Sequence, residues 1–214
     1  MAKLLSKKTL IPVSSLLAIG VSAYLSIVYF GYGLSASGLI QNKLNQHMQL
    51  TNIYYFFLYL HIATGIISLV IGWLQFIKPL RERNIRLHRF IGKIYSGSVL
   101  FSACSGIFIS FKATGGWIST VAFLALSLLW LYTLMKGYRA IVTERNPQHH
   151  HRWMFRNYAL TFAAVTLRIY LPIFMLIFGF EHFDAYYRIV AWLSWVPNLL
   201  LAEWIIRRSR LFKT

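Results

Sequence analysis

Acidic side chains are nearly missing from this chain, with five Asp and Glu against 22 Lys and Arg in 214 residues. That scarcity argues against a paired-carboxylate catalytic centre and against cation transport along Asp or Glu relays. Cysteine is scarcer still: Cys104 stands alone, so no intrachain disulfide forms. Set among Ser102, Ala103 and Ser105 in an apolar run, it reads as a small buried packing residue. There is also no glycine-rich nucleotide loop, no Ser-His-Asp arrangement, no low-complexity tract and no clear internal repeat. No polar stretch is long enough to form a separate soluble domain.

What is abundant is apolar. Hydrophobic residues make up 57% and aromatics 17%, with 13% charged, against about 45–50% apolar in ordinary soluble domains. Apolar runs of membrane-spanning length recur along the chain. The expectation is an all-α, polytopic membrane helix bundle, a single membrane domain over 1–214. Six transmembrane helices are predicted at about 10–33, 50–77, 90–111, 115–138, 153–180 and 185–206. Each exceeds the ~20 residues needed to cross the hydrocarbon core. Val21-Ser22-Ala23 loosely resembles a signal-cleavage site, but the apolar run continues to Phe30, so an uncleaved first span is expected. The default location is the plasma membrane, or bacterial inner membrane, as a multi-pass protein.

The net charge of +17 would suggest nucleic acid in a soluble protein. Here topology explains it, and no nucleic-acid partner is expected. Lys and Arg on the N-terminus, the second and fourth connections with their flanks, and the C-terminus number eighteen; Lys43, Lys112 and Arg188 are the three on the other side. That alternation predicts both termini in the cytoplasm. Tyr54, Tyr55, Trp117, Tyr138 and Trp153 near span ends suit interfacial belts.

In lipid, helix faces that meet other helices are small and polar. From His61 the helical period gathers Tyr54, Thr64, Gly65, Ser68, Gly72 and Gln75 on one stripe of the second span. His61 is therefore expected to face protein. The third span repeats this from His88 through Gly92, Tyr95, Ser102, Ala103, Gly106 and Ser110. In the fifth, Arg168 aligns with Pro172, Ala164, Thr161, Asn157 and His150. The fourth has Ser127, Thr133 and Gly137 but no histidine. His61 lies 16 residues from Ile77 and Arg168 lies 16 from Arg152, so at 1.5 Å per residue both sit roughly 24 Å from the cytoplasmic face. His88 and the His149–His151 cluster lie at that face.

An ionisable residue inside a span is by default a functional-site hypothesis. Arg168 would serve as an anion or carbonyl clamp in an outward-opening pocket beside His61, or else snorkel to Glu181, Asp184 or headgroups. The predicted ligand pocket comprises His61, Arg168, Thr64, Ser68, Thr161, Trp195 and Asn198. His61 reads as a haem ligand, a proton-relay group or a hydrogen-bonded core histidine. A bis-histidine haem b asks for two facing histidines at one depth, and His61 has no such partner in the fourth span. At the cytoplasmic face, His88 with one of His149, His150 and His151 could hold haem b, with Arg86, Arg89, Arg152 and Arg156 on its propionates. The same group suits zinc or anionic lipid headgroups. Glu203 stands four residues before Arg207, a spacing that permits an ion pair. Pro172 and Pro197 are expected to kink the fifth and sixth spans.

The blocks LHRFIGKIY at 87–95, HRWMFRNYALTFAAVTLRIYLP at 151–172 and AWLSWVPNLLLAEW at 191–204 resemble the bacterial membrane proteins grouped as domain of unknown function 2306. The resemblance spans roughly the second to sixth helices and implies a polytopic bacterial membrane protein, with no activity attached. An architectural similarity to cytochrome b561-type proteins implies bis-histidine haems, with His88 paired to a histidine opening the fifth span and His61 half of a second pair. The missing histidine of the fourth span breaks that second pair.

The sequence thus points to a membrane protein with a polar intramembrane pocket around His61 and Arg168, open to a redox link through haem b or a quinone. The alternatives are a non-redox protein that binds or transports an anion or lipid, and a structural membrane subunit. Membrane lipids, a quinone or an anionic small ligand are the expected partners. No enzyme class follows.

Overall fold

The computed structural model describes residues 7–45 and 47–208; Lys3, Arg210 and Lys213 of the charge argument lie outside the described residues. Among the described residues the chain is all helix, and six helical segments are long and apolar enough to cross a membrane. A minority of each span is buried inside the protein. The rest, including Leu16, Phe56, Leu128, Met135 and Leu176, faces outward, as a lipid solvent requires. The chain divides into two compact units, Met1–Ser102 and Ala103–Thr214.

In the first unit, α1 (Lys7–Ser26) runs into one widened turn at Ile27–Gly31, where the Tyr32 amide reaches back to the Ile27 carbonyl at 2.9 Å. Gly33, at φ +82°, turns the chain. The short helix α2 (Gly38–Asn45) follows, in the connection between the first and second predicted spans. Tyr29 and Ser37 hydroxyls meet at 2.9 Å, and buried Lys43 lies 5.4 Å over the ring of Tyr54. Tyr54 is thereby buried, its ring beneath the Lys43 ammonium of α2. Thr51 caps α3 (Asn52–Gly72), which packs along α1 and closes in a tight turn at Trp73–Phe76. Proline at its first turn starts α4 (Lys78–Arg83), a second short helix, lying in the connection between the second and third predicted spans. Asn84 then accepts from the Leu87 amide at 3.0 Å and starts α5 (Ile85–Ser110), five residues before the predicted span. Sequence hydropathy misses this extension because Arg86, His88 and Arg89 are polar; a cap does not need apolar neighbours.

The boundary between the units falls within α5. The packed side of this helix carries Ser98, Val99, Ser102, Ala103 and Ser105, all buried. Cys104 lies on the opposite side and is exposed. The expectation of a buried cysteine is corrected: its small neighbours in sequence belong to a different face of the helix.

In the second unit α6 (Trp117–Val142) ends three residues before Arg145, which turns the chain at φ +50°. Asn146 accepts from the His149 amide at 2.9 Å, and Pro147 opens α7 (Pro147–Thr161) six residues earlier than predicted. α7 packs closely along α6: a Cβ at Gly137 would meet Met154 Sδ at 2.6 Å. A break at Phe162 leads into α8 (Ala163–Phe178). It lies ten residues before Pro172, through which α8 continues as one helix. Thr161 accounts for the break's position. Its hydroxyl donates to the Asn157 carbonyl at 3.0 Å and accepts from Trp130 Nε1 at 3.0 Å, a back-bond of the kind that bends helices. Gly179, at φ +71°, ends α8. α9 (Phe183–Leu193) and α10 (Val196–Arg208) complete the sixth span, separated by a turn at Ser194–Trp195. Pro197 causes that turn as expected, having no N–H for the Leu193 carbonyl. α9 packs on α6 and α8, and α10 on α7.

Candidate functional site

Each unit carries its own share of the predicted residues. In the first, His61 Nδ1 lies 2.8 Å from the Ser102 carbonyl of α5, and the Ser102 hydroxyl donates to the His61 carbonyl at 3.0 Å. A carbonyl partner makes Nδ1–H the donor and Nε2 the acceptor nitrogen of the neutral ring. A Cβ at Gly65, one turn on, would meet Ser102 Oγ at 3.4 Å, so this seam is close-packed. His61 faces protein, as its stripe implied. Thr64 and Ser68 hydroxyls turn back to their own helix, donating to Leu60 and Gly65 carbonyls at 2.6 and 2.8 Å. Deeper toward the connection, Gly92 and Gln75 approach: a Cβ at Gly92 would meet Gln75 Oε1 at 3.5 Å.

The spacing along α5 tests a haem around His61. His61 is level with Ser102, whereas His88 lies fourteen residues earlier on the same helix, about 21 Å along the axis. The first unit by itself does not assemble two axial histidines at one depth.

In the second unit Arg168 is half-buried on α8, ten residues before its end at Phe178, about 15 Å along the axis. Among the described residues it makes one hydrogen bond, Nη1 to the Ala164 carbonyl of its own helix at 3.3 Å. No ion pair joins it to Glu181 or Asp184 among the described residues. One polar link joins the two helices of this level. Asn198 Nδ2 donates to Thr166 Oγ1 at 2.9 Å and to the Ser194 carbonyl at 3.0 Å. Trp195, in the turn made by Pro197, is 6% exposed, and its Nε1 has no hydrogen-bond partner. Thr161 instead belongs to a buried network between α6 and α7. There Asn157 Nδ2 donates to the Trp130 carbonyl and to Thr133 Oγ1, both at 2.8 Å.

The basic surface is more committed than its sequence suggests. His149 Nδ1 lies 2.6 Å from Glu144 Oε2, and Trp153 Nε1 donates to His149 Nε2 at 2.9 Å, so both ring nitrogens are used. His150 Nδ1 donates to the Gly137 carbonyl at 2.7 Å. Arg156 forms a two-pronged ion pair with Glu203 of α10 and stacks 4.6 Å over Trp153. The expected Glu203–Arg207 pair gives way to this one, because a forked guanidinium on a facing helix matches both carboxylate oxygens. Arg89 is exposed on α5, while His151 and Arg152 are half-buried on α7. Among the described residues no three of His, Cys, Asp and Glu come together as a metal site. His88 belongs to the first unit and His151 to the second. His149 is fully engaged, and His150 and His151 are successive on one helix, so the second unit alone supplies no facing histidine pair for haem.

These helices carry the three sequence blocks in the order the resemblance required, and a family profile described as predicted membrane protein (DUF2306) matches residues 58–206. The chain belongs to the DUF2306 family. The match starts within α3 and ends within α10, so α1 and α2 lie outside the DUF2306 core. Neither the curated proteins nor the solved structures yield a match. This DUF2306 protein is a multi-pass membrane protein with six apolar spans.

Sequence reasoning missed Thr166, Glu144 and the pairing of Arg156 with Glu203. Trp153 at i+4 from His149 was a readable signal. The Arg156–Glu203 pair is 47 residues apart and has no local signature.

Proposed function

We propose that this membrane protein binds an anionic, lipid-like ligand in the second unit, with Arg168 as its electrostatic anchor. The observation that carries the reading is an intramembrane guanidinium that, among the described residues, has no carboxylate partner and bonds only to the Ala164 carbonyl. Arginine does not lose its proton. Placing it at the centre of a span costs about 2.5–3.5 kcal/mol on insertion scales, and a single neutral carbonyl offsets little of that. An acidic headgroup would. The buried Trp195 Nε1 without a partner and the Thr166–Asn198 pair supply further polar chemistry in the same unit. A bacterial inner-membrane location with both termini in the cytoplasm belongs to this reading, resting on the distribution of Lys and Arg.

The test is native mass spectrometry of the protein released from detergent after expression in membranes of mixed lipid. The reading expects an acidic amphiphile retained by the native chain and by Arg168→Lys, and lost from Arg168→Gln. Equal retention by all three, or retention of zwitterionic lipid only, removes its basis.

His61 supports a second, redox-linked reading. With Nδ1–H directed at Ser102, Nε2 is oriented as an acceptor suited to a quinol hydroxyl. A haem is not part of this reading, since the first unit alone lacks the second axial histidine. Quinone extracted with the native chain but not with His61→Leu supports it; absence of quinone from both ends it.

A further inference from the structure

The start of α6 is built unlike a closed helix end. Its N-cap is Gly116, with no side-chain cap and no acidic residue in the first turn. The first helical bond is made by Thr120, whose amide reaches the Gly116 carbonyl at 3.0 Å. The amides of Trp117, Ile118 and Ser119 precede it and point out of the helix end, where the dipole is positive. Two further hydroxyls stand at this turn. Thr114 Oγ1 and Ser119 Oγ, each in a residue with no exposed surface, have no hydrogen-bond partner among the described residues. Buried hydroxyls of this kind ordinarily find one. Ser119 Oγ is directed at the loop rather than into the bundle, since a Cβ at Gly115 would meet it at 2.7 Å.

Arg188 of α9 completes the corner. Its Nε donates to the Gly115 carbonyl at 2.8 Å, and its Cγ lies 3.0 Å from the same hypothetical Cβ. Gly115, at φ +84°, permits both the turn and the crossing of the arginine stem. The two terminal nitrogens of the guanidinium remain for a ligand. Asp184 sets its backbone carbonyl 3.2 Å from that Cβ position. One guanidinium beside directed N–H and O–H donors matches a singly charged oxyanion.

We infer that the uncapped N-terminus of α6, with Ser119, Thr114 and Arg188, is a binding site for a singly charged phosphate oxyanion, separate from Arg168. Free dihydrogen phosphate and the phosphodiester of an acidic lipid headgroup share that chemistry. Helix N-termini bind such groups through their free amides. The exposed Gly116 and Trp117 leave the turn open to the aqueous or headgroup side.

The experiment uses the full chain in nanodiscs of zwitterionic lipid, mildly acidic so that phosphate is mainly the monoanion. Melting is followed against sodium phosphate and, at matched ionic strength, sodium chloride. A parallel arm replaces part of the lipid with phosphatidylglycerol. The expected result is an upward, saturating Tm shift with phosphate or with phosphatidylglycerol. That shift is lost in Ser119→Ala and Arg188→Gln, and kept in Arg168→Gln. A response to phosphate identifies a soluble oxyanion, and a response to phosphatidylglycerol alone identifies a headgroup. If Arg188→Gln does not fold, Ser119→Ala and Thr114→Val carry the comparison. No shift with either probe, or equal shifts in native chain and site variants, overturns the proposal. Loss of the shift in Arg168→Gln would assign the response to Arg168 instead.

Discussion

At the scale of single residues, the informative distinction is between polar side chains whose bonds are made and those whose bonds are not. Asn157 is fully buried and donates to both the Trp130 carbonyl and Thr133 Oγ1. Asn157→Ala is therefore expected to lower stability by about 1–2 kcal/mol, as interhelical hydrogen bonds in membranes do, checked by reversible unfolding in detergent. A change near zero would show that Trp130 and Thr133 find other partners. Asn157 was legible in the sequence as part of a polar stripe, but its partners on α6 were not, because a periodicity places a residue on a face without naming the neighbour. His149 shows the same limit. Its cluster suggested ligands, whereas Glu144 and Trp153 occupy both ring nitrogens. Arg168 is the reverse case. Its place in an apolar run is plain from the sequence, and the structure adds that its one hydrogen bond among the described residues is to its own helix.

At the scale of elements, caps and prolines explain where helices begin and bend. Hydropathy alone found six spans yet missed α2 and α4, which are too short and too polar to register as apolar runs. Asn146 with Pro147 extends α7, and Pro197 opens the α9–α10 turn. Pro197→Ala is expected to restore an amide donor to the Leu193 carbonyl. The amide of the substituted residue should then be protected in hydrogen exchange, and full exchange at that position would contradict the account of the turn. α7 and α10 are joined by Arg156 and Glu203, both partly shielded from solvent. A double-mutant cycle with Arg156→Ala and Glu203→Ala should return a coupling of about 1–3 kcal/mol, the range for charged hydrogen bonds. Exposed pairs give under about 1 kcal/mol, and a coupling in that lower range would make the pair a surface contact.

At the scale of the whole molecule, the scarcity of acids and the alternation of Lys and Arg underlie the proposed orientation. The membrane character and helix count followed directly from composition and run length, because lipid forces every backbone group into a helix. Which helices meet did not follow, since packing in lipid depends on small-residue seams such as His61, Gly65 and Ser102. Reporter fusions after Arg208 and in the 111–116 connection are expected to fall on opposite sides of the membrane, the first in the cytoplasm. The opposite assignment would mean that Lys and Arg do not set the orientation. The central claim remains Arg168 as the anchor of an anionic, lipid-like ligand. Its most direct test is a titration of phosphatidylglycerol against phosphatidylcholine into the native chain and Arg168→Gln. The account predicts a preference for the acidic lipid that falls about tenfold or more in the variant, as loss of a charged hydrogen bond of about 1.5 kcal/mol implies. The same affinity for acidic lipid in both proteins would contradict it.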